Sequence, residues 1–147
     1  MAGTTDAIVL AAESSPTAGR VTGVATRLAG ATGWPLVIVA VWSVPAAATA
    51  FESLHETVER EDAARAGAAE ACEHAAASAA AAGLEARTLV LNGDAAAEIC
   101  AVAEREHAAL IVIGAHSGRV LPRGSLGAVS DDVVRHAPCP VLVVPAR

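Results

Sequence analysis

Ala109-Leu110-Ile111-Val112-Ile113, followed by Gly114-Ala115-His116-Ser117-Gly118, is an apolar run that ends in a loop of small residues. The loop continues through Arg119 to Gly127-Ala128. A helical pattern follows, then Ala137-Pro138-Cys139-Pro140 and a second apolar run, Val141-Leu142-Val143-Val144-Pro145. Short continuous apolar runs of this kind predict parallel strands covered on both faces. A strand that feeds a glycine-containing loop and then a helix start predicts an anion-holding turn. Backbone N–H groups are unpaired at a helix N-terminus, and glycine lets the backbone approach a phosphate closely. A mononucleotide-sized ligand is therefore the first functional expectation.

Working upstream, strand and helix patterns alternate. Ala7 to Ala12 predicts a buried first strand. Ser15-Pro16 predicts a helix start, with serine as cap and proline at the first helical position. Val21, Val24, Ala25 and Leu28 then recur at helical spacing, and Gly30 and Gly33 are expected to close the helix. Leu36 to Val41 predicts the second strand, and Pro45 with the alanines after it predicts a loop. One long alanine-dominated helix is expected from about Phe51 to Ala82, with Phe51, Leu54 and Val58 opening its buried stripe and Gly83 stopping it. Ala86 to Leu91 predicts a third strand, Asn92-Gly93-Asp94 a turn with Asp94 as cap, and Ile99, Val102 and Ala103 the inner face of the next helix. The last helix is expected from about Ser125, with Leu126, Val129, Val133 and Val134 inward. This order predicts one domain over residues 1–147, an α/β fold with a parallel sheet and helices on both faces.

Composition bounds the rest. At 147 residues the chain is long enough for a full core, and its mean hydropathy of +0.47 owes much to alanine. No apolar run approaches the roughly 18 residues of a membrane helix. The opening Met1 to Asp6 has neither a basic nor an apolar signal region, so a cytoplasmic protein is expected. A net charge of −6 and an aromatic content of 2% with no tyrosine argue against a nucleic-acid surface, and the absence of lysine leaves arginine, histidine or a hydroxyl for any side-chain contact to phosphate. Cys72, Cys100 and Cys139 are odd in number and widely spaced, which predicts reduced, partly buried thiols and no zinc site. His55 and Glu59 have i, i+4 spacing, but two ligands are inadequate for a metal, and none is expected. Glu52, Glu56, Glu59, Glu61 and Asp62 read as a solvated helix face.

Taken together, these residues resemble the universal stress protein family, a Rossmann-like, adenine nucleotide alpha hydrolase-like fold. The resemblance rests on the strand order, on Arg135-His136-Ala137-Pro138-Cys139-Pro140-Val141, and on a loop similar to the family's G-x-x-G, nine residues, G-[ST]. An ungapped match sets Gly114 on the first glycine, Ser117 on the second, Gly127 on the third and Ala128 on the Ser/Thr. Ala12-Glu13-Ser14-Ser15 stands where the family has a Val-Asp-Gly-Ser-type turn. The resemblance implies a five-stranded parallel sheet of order 3-2-1-4-5, with a crevice at the carboxyl ends of strands one and four. It implies ATP as ligand, with magnesium as a companion ion. The candidate binding set is Ala11, Ala12, Glu13, Val41, Gly114, Ser117, Gly118, Gly127, Ala128 and Val129, with Glu13 and Val41 toward the adenosine end.

Two departures bear on that expectation. Ser117 replaces a glycine, which costs about 1 kcal/mol if the position needs positive φ, and Gly118 offers a shifted turn. Ala128 lacks the hydroxyl of the pattern, a loss of about 0.5–1.5 kcal/mol for one hydrogen bond. Arg119, Arg123 and His116 are candidate phosphate contacts or ordinary loop residues. His136 reads as a helix C-terminal residue favoured by the dipole. No paired catalytic carboxylates and no Ser-His-Asp set are visible, so at most slow ATP hydrolysis is expected. Two functions stay open: a nucleotide-binding regulatory protein, and a ligand-free interaction module of the same fold. In either case a homodimer is expected through the last strand, Val141, Leu142, Val143 and Val144, whose edge is too apolar to leave open.

Overall fold

A computed structural model describes residues 6–116 and 125–146. Five strands form one parallel sheet: β1 (Ala7–Ala11), β2 (Leu36–Trp42), β3 (Ala86–Asn92), β4 (Ala108–Gly114) and β5 (Val141–Val144), in the order β3-β2-β1-β4-β5. The helices are α1 (Ala18–Thr32), α2 (Ala46–Thr49), α3 (Leu54–Ala81), α4 (Ala95–Arg105) and α5 (Ala128–His136). The expected fold class and strand order are thus observed.

Side-chain alternation divides the core into two layers. Ile8 and Leu10 of β1 join Leu36, Ile38 and Ala40 of β2 and Val112 of β4 beneath α1 and α3. Ala7, Val9 and Ala11 join Val37, Val39, Ile111 and Ile113 beneath α4 and α5. Every residue of β1 is buried, as a central strand with helices on both faces requires. The α3 layer is made of small groups: Ala68, Ala71, Cys72, Ala75 and Ala79 face the sheet. A turn with Gly83 at φ 79° ends α3, and Leu84 N–H donates to the Ala79 carbonyl at 2.9 Å.

Several local expectations are corrected. A short helix, α2, occupies Ala46–Thr49 where a loop is expected, and the helix expected from about Phe51 starts only at Leu54, after a capping box on Ser53. Its hydroxyl accepts from Glu56 N–H, and the Glu56 carboxylate accepts from Ser53 N–H at 2.8 Å. Phe51, Leu54 and Val58 are exposed rather than buried, since the first turns of α3 carry no sheet beneath them. The acidic face there is also not uniformly solvated: the Glu52 carboxylate is mostly covered and pairs with Arg60. The first helix begins at Ala18 after Thr17, two residues later than Ser15-Pro16 suggests, and the Ser15 hydroxyl donates to Glu13 and accepts from Thr17 N–H in the turn that precedes it. Gly30 lies inside α1, and Gly33 at φ 74° closes it. The last helix begins at Ala128, and Leu126 and Val134 point outward while Val133 is buried. Asp94 caps α4 as expected, accepting from Ala97 N–H at 3.0 Å.

Candidate functional site

β1 and β4 are neighbours, yet the chain leaves β1 toward β2 and leaves β4 toward β5. The connections therefore diverge and open a crevice at the strands' carboxyl ends. A cavity of about 250 Å³ lies there. Ala11, Ala12 and Glu13 form one wall, Ile113, Gly114 and His116 another. Val39 and Val41 come from β2, Ala95 and Ile99 from α4, and Gly127, Val129 and Ser130 from the start of α5.

Of the sequence-derived candidates, Ala11, Ala12, Glu13, Val41, Gly114, Gly127 and Val129 line this cavity. Ala128 does not line it, although its backbone belongs to the first turn of α5. Ser117 and Gly118, with Arg119 and Arg123, lie outside the described residues. Val39, Ala95, Ile99, Ile113 and Ser130 were not anticipated. Val39 and Ile113 were within reach of the sequence, because each sits two residues from, or on the same sheet face as, a residue already singled out.

The start of α5 is held against the end of β4. Gly127 N–H donates to the Ala115 carbonyl at 2.8 Å, and the buried Ser130 hydroxyl donates to the same carbonyl at 2.7 Å. A Cβ on Gly127 would sit 3.3 Å from that carbonyl oxygen, and one on Gly114 would sit 3.2 Å from Val21. Both glycines therefore serve close approach of backbone to its surroundings. Asp131 N–H bonds to the Gly127 carbonyl. The N–H groups of Ala128, Val129 and Ser130 belong to the first turn, and no described residue accepts from them. They and the helix dipole make the α5 end of the crevice favourable to an anion.

The remaining polar groups are few. The Ser15 hydroxyl donates to Glu13 Oε1 at 2.5 Å, is itself 3.1 Å from Thr17 Oγ1, and accepts from Thr17 N–H. His116 Nε2 lies 2.6 Å from the Ser125 carbonyl, so that nitrogen carries a proton and the ring is tied to the segment before α5. Among the described residues no group of three or more His, Cys, Asp and Glu side chains is placed to hold a metal.

This architecture has relatives. The universal stress protein family model matches residues 4–145. The chain belongs to the universal stress protein family. A curated universal stress protein of Methanocaldococcus jannaschii is 44% identical over 62 residues, 42% of this chain; the match spans only 36% of that relative's length. Universal stress protein UspA from Lactobacillus plantarum superposes with a TM-score of 0.78 at 25% identity, covering 95% of this chain and 97% of its own. The universal stress protein from Archaeoglobus fulgidus in complex with dAMP gives a TM-score of 0.64 at 25% identity, covering 94% and 96%. This universal stress protein thus shares its whole fold with solved members, and at least one of them holds an adenine nucleotide. Among its described residues no helix is long and apolar enough to cross a membrane.

Proposed function

We propose that this chain is a regulatory stress-response module that binds an adenine nucleotide in the crevice between β1 and β4. The observation that carries the reading is the open first turn of α5, pinned to Ala115 so that its N–H groups meet a cavity walled on the other side by Val39, Val41 and Ile99. An apolar wall suits a base, and a helix start suits a phosphate. The dAMP complex of the Archaeoglobus relative supports the same ligand class. ATP is the ligand that the loop pattern implies. With Glu13 as the sole carboxylate lining the cavity among the described residues, any magnesium would travel on the phosphates rather than on the protein. Thermal denaturation with and without adenine nucleotides tests this. A binder gains RT ln(1 + [L]/Kd), about 2.7 kcal/mol at a hundred times Kd. An unchanged midpoint with millimolar ATP-magnesium, AMP and adenosine alike removes the proposal.

A second reading, an interaction module that pairs two copies through β5, is favoured by one observation. β5 is an outer strand of four apolar residues, and Leu142 is exposed on it. An open apolar edge invites pairing with another strand. Antiparallel pairing of two β5 edges across a two-fold axis would cover it, and such a homodimer is compatible with nucleotide binding.

A further inference from the structure

We propose that the first turns of α3 are a docking surface for a basic amphipathic segment of a partner protein, seated on Phe51, Leu54 and Val58 and held by the acids beside them; the inference is independent of the nucleotide reading above. Phe51 is fully exposed, Leu54 is 82% exposed and Val58 45%. Leu54 and Val58 lie one turn apart on the same face of α3, and Phe51 lies in the connection just ahead of them. Ala68 is the first buried residue of α3, so about 20 Å of helix precedes it. Large apolar side chains left open on a projecting arm are what a partner surface uses as anchors. The arm is braced before anything binds. Glu52 N–H donates to the Thr49 carbonyl at 3.2 Å, Arg60 Nε donates to Glu52 Oε1 at 2.8 Å, and Ser53 and Glu56 close the capping box. Little backbone ordering is left to oppose binding.

Charge selects the occupant. Between Phe51 and Asp62 the acids are Glu52, Glu56, Glu59, Glu61 and Asp62, against one arginine, Arg60. Glu61 and Asp62 follow Val58 at i+3 and i+4, so the apolar row runs into two carboxylates. Glu59 stands on the flank, 3.1 Å from His55. The cations beside the row are engaged: Arg60 pairs with Glu52, and the Arg65 guanidinium lies 5.1 Å from the Trp42 ring centroid. An apolar row rimmed by acid fits a helix whose own apolar row is flanked by lysine or arginine, packed helix on helix. A second copy of this chain would set the same acids against these, with a net charge of −6 on each side. Helices that lie on membranes carry lysine and arginine on their polar face, the reverse of this one, so an anionic lipid surface repels it.

The test is fluorescence anisotropy of the full chain with three labelled helical peptides: one of leucine and lysine with an apolar face, one of the same pattern with glutamate for lysine, and one with serine for leucine. The wild type is expected to bind the leucine–lysine peptide at least about tenfold more tightly than either of the others. Phe51→Ser with Leu54→Ser is expected to weaken that binding by at least about tenfold. Glu61→Gln with Asp62→Asn is expected to weaken it by about threefold or more at low salt, and by less as salt is raised. Neither pair touches the buried core, so both variants are expected to melt as the wild type does. Failure of the wild type to bind the leucine–lysine peptide, equal binding of either control peptide, or wild-type affinity in either variant overturns the proposal. A lower sedimenting mass for the Phe51→Ser, Leu54→Ser variant overturns it in favour of a second copy. Flotation of the wild type with phosphatidylcholine–phosphatidylserine vesicles overturns it in favour of a lipid surface.

Discussion

Ser130 Oγ donates to the Ala115 carbonyl across 2.7 Å, a bond between the first turn of α5 and the residue just past β4. Both residues are buried, and the carbonyl also accepts from Gly127 N–H. Ser130→Ala removes one of two donors without orphaning the oxygen. The expected cost is about 1 kcal/mol. For a chain of this size that lowers the melting midpoint by about 2–4 °C. Adenine-nucleotide affinity is expected to fall as well, because one of the two bonds that pin the helix start is lost. A calorimetric scan and a titration of the same sample check both.

The two apolar layers and the α2–α3 overhang respond differently to truncation. Ile38 is fully buried against the small residues of α3, which leave little means to refill a hole. Ile38→Ala is expected to cost about 2–5 kcal/mol. Phe51→Ser removes a ring that is fully exposed and is expected to change stability by no more than about 0.5 kcal/mol. Urea titrations of the two variants separate the outcomes. A large loss at Phe51 would mean that another surface covers it in solution.

The open edge of β5 gives a prediction on assembly. Leu142 is its exposed residue, whereas Val143 packs with the α4–α5 layer, so a charge at Leu142 disturbs the edge and spares the core. The wild type is expected to sediment as a dimer and Leu142→Arg as a monomer with an unchanged melting profile at low concentration. A variant that sediments like the wild type would place the contact elsewhere.

The chain has no lysine and no tyrosine, which makes its alkaline behaviour unusually simple. Burial pushes the thiols of Cys72, Cys100 and Cys139 up, and the neighbouring Cys100 adds to the effect at Cys139. The folded state then holds protons that the unfolded chain releases, so stability falls as pH rises past the unfolded thiol value of about 8.5. Arginine does not titrate below about pH 12. Between pH 8 and 11 the wild type is therefore expected to lose stability, and a Cys72→Ala, Cys100→Ala, Cys139→Ala triple variant to show a flatter profile. Equal slopes for the two proteins would assign the alkaline loss to another cause.

Much of the fold was legible because the strands announce themselves. Leu36 to Val41 and Ala109 to Ile113 are continuous apolar runs, and a run buried on both faces has one reading. Helix ends were less legible. Ser15-Pro16 has the composition of a cap, but the Ser15 oxygen accepts from Thr17 N–H within a turn and the helix starts after Thr17, an offset that composition does not encode. Phe51, Leu54 and Val58 have helical spacing, yet spacing says nothing about whether a sheet lies beneath. The Ser53–Glu56 capping box was written in the chain and marks the break between α2 and α3. In the crevice, Glu13 and Gly114 follow from strand ends, whereas Ala95 and Ile99 arrive through the path of α4, which local pattern does not encode.

The buried side of α3 is nearly smooth. Ala68, Ala71, Ala75 and Ala79 carry nothing past a methyl group, so few ridges oppose a slide of the rod along its own length. Its position is set at three points. Ser53 and Gly83 stop the two ends, and midway Cys72 projects a sulfur that lies 3.5 Å from the Leu89 carbonyl of β3. One atom thus indexes a long element, the way a detent locates a plain shaft.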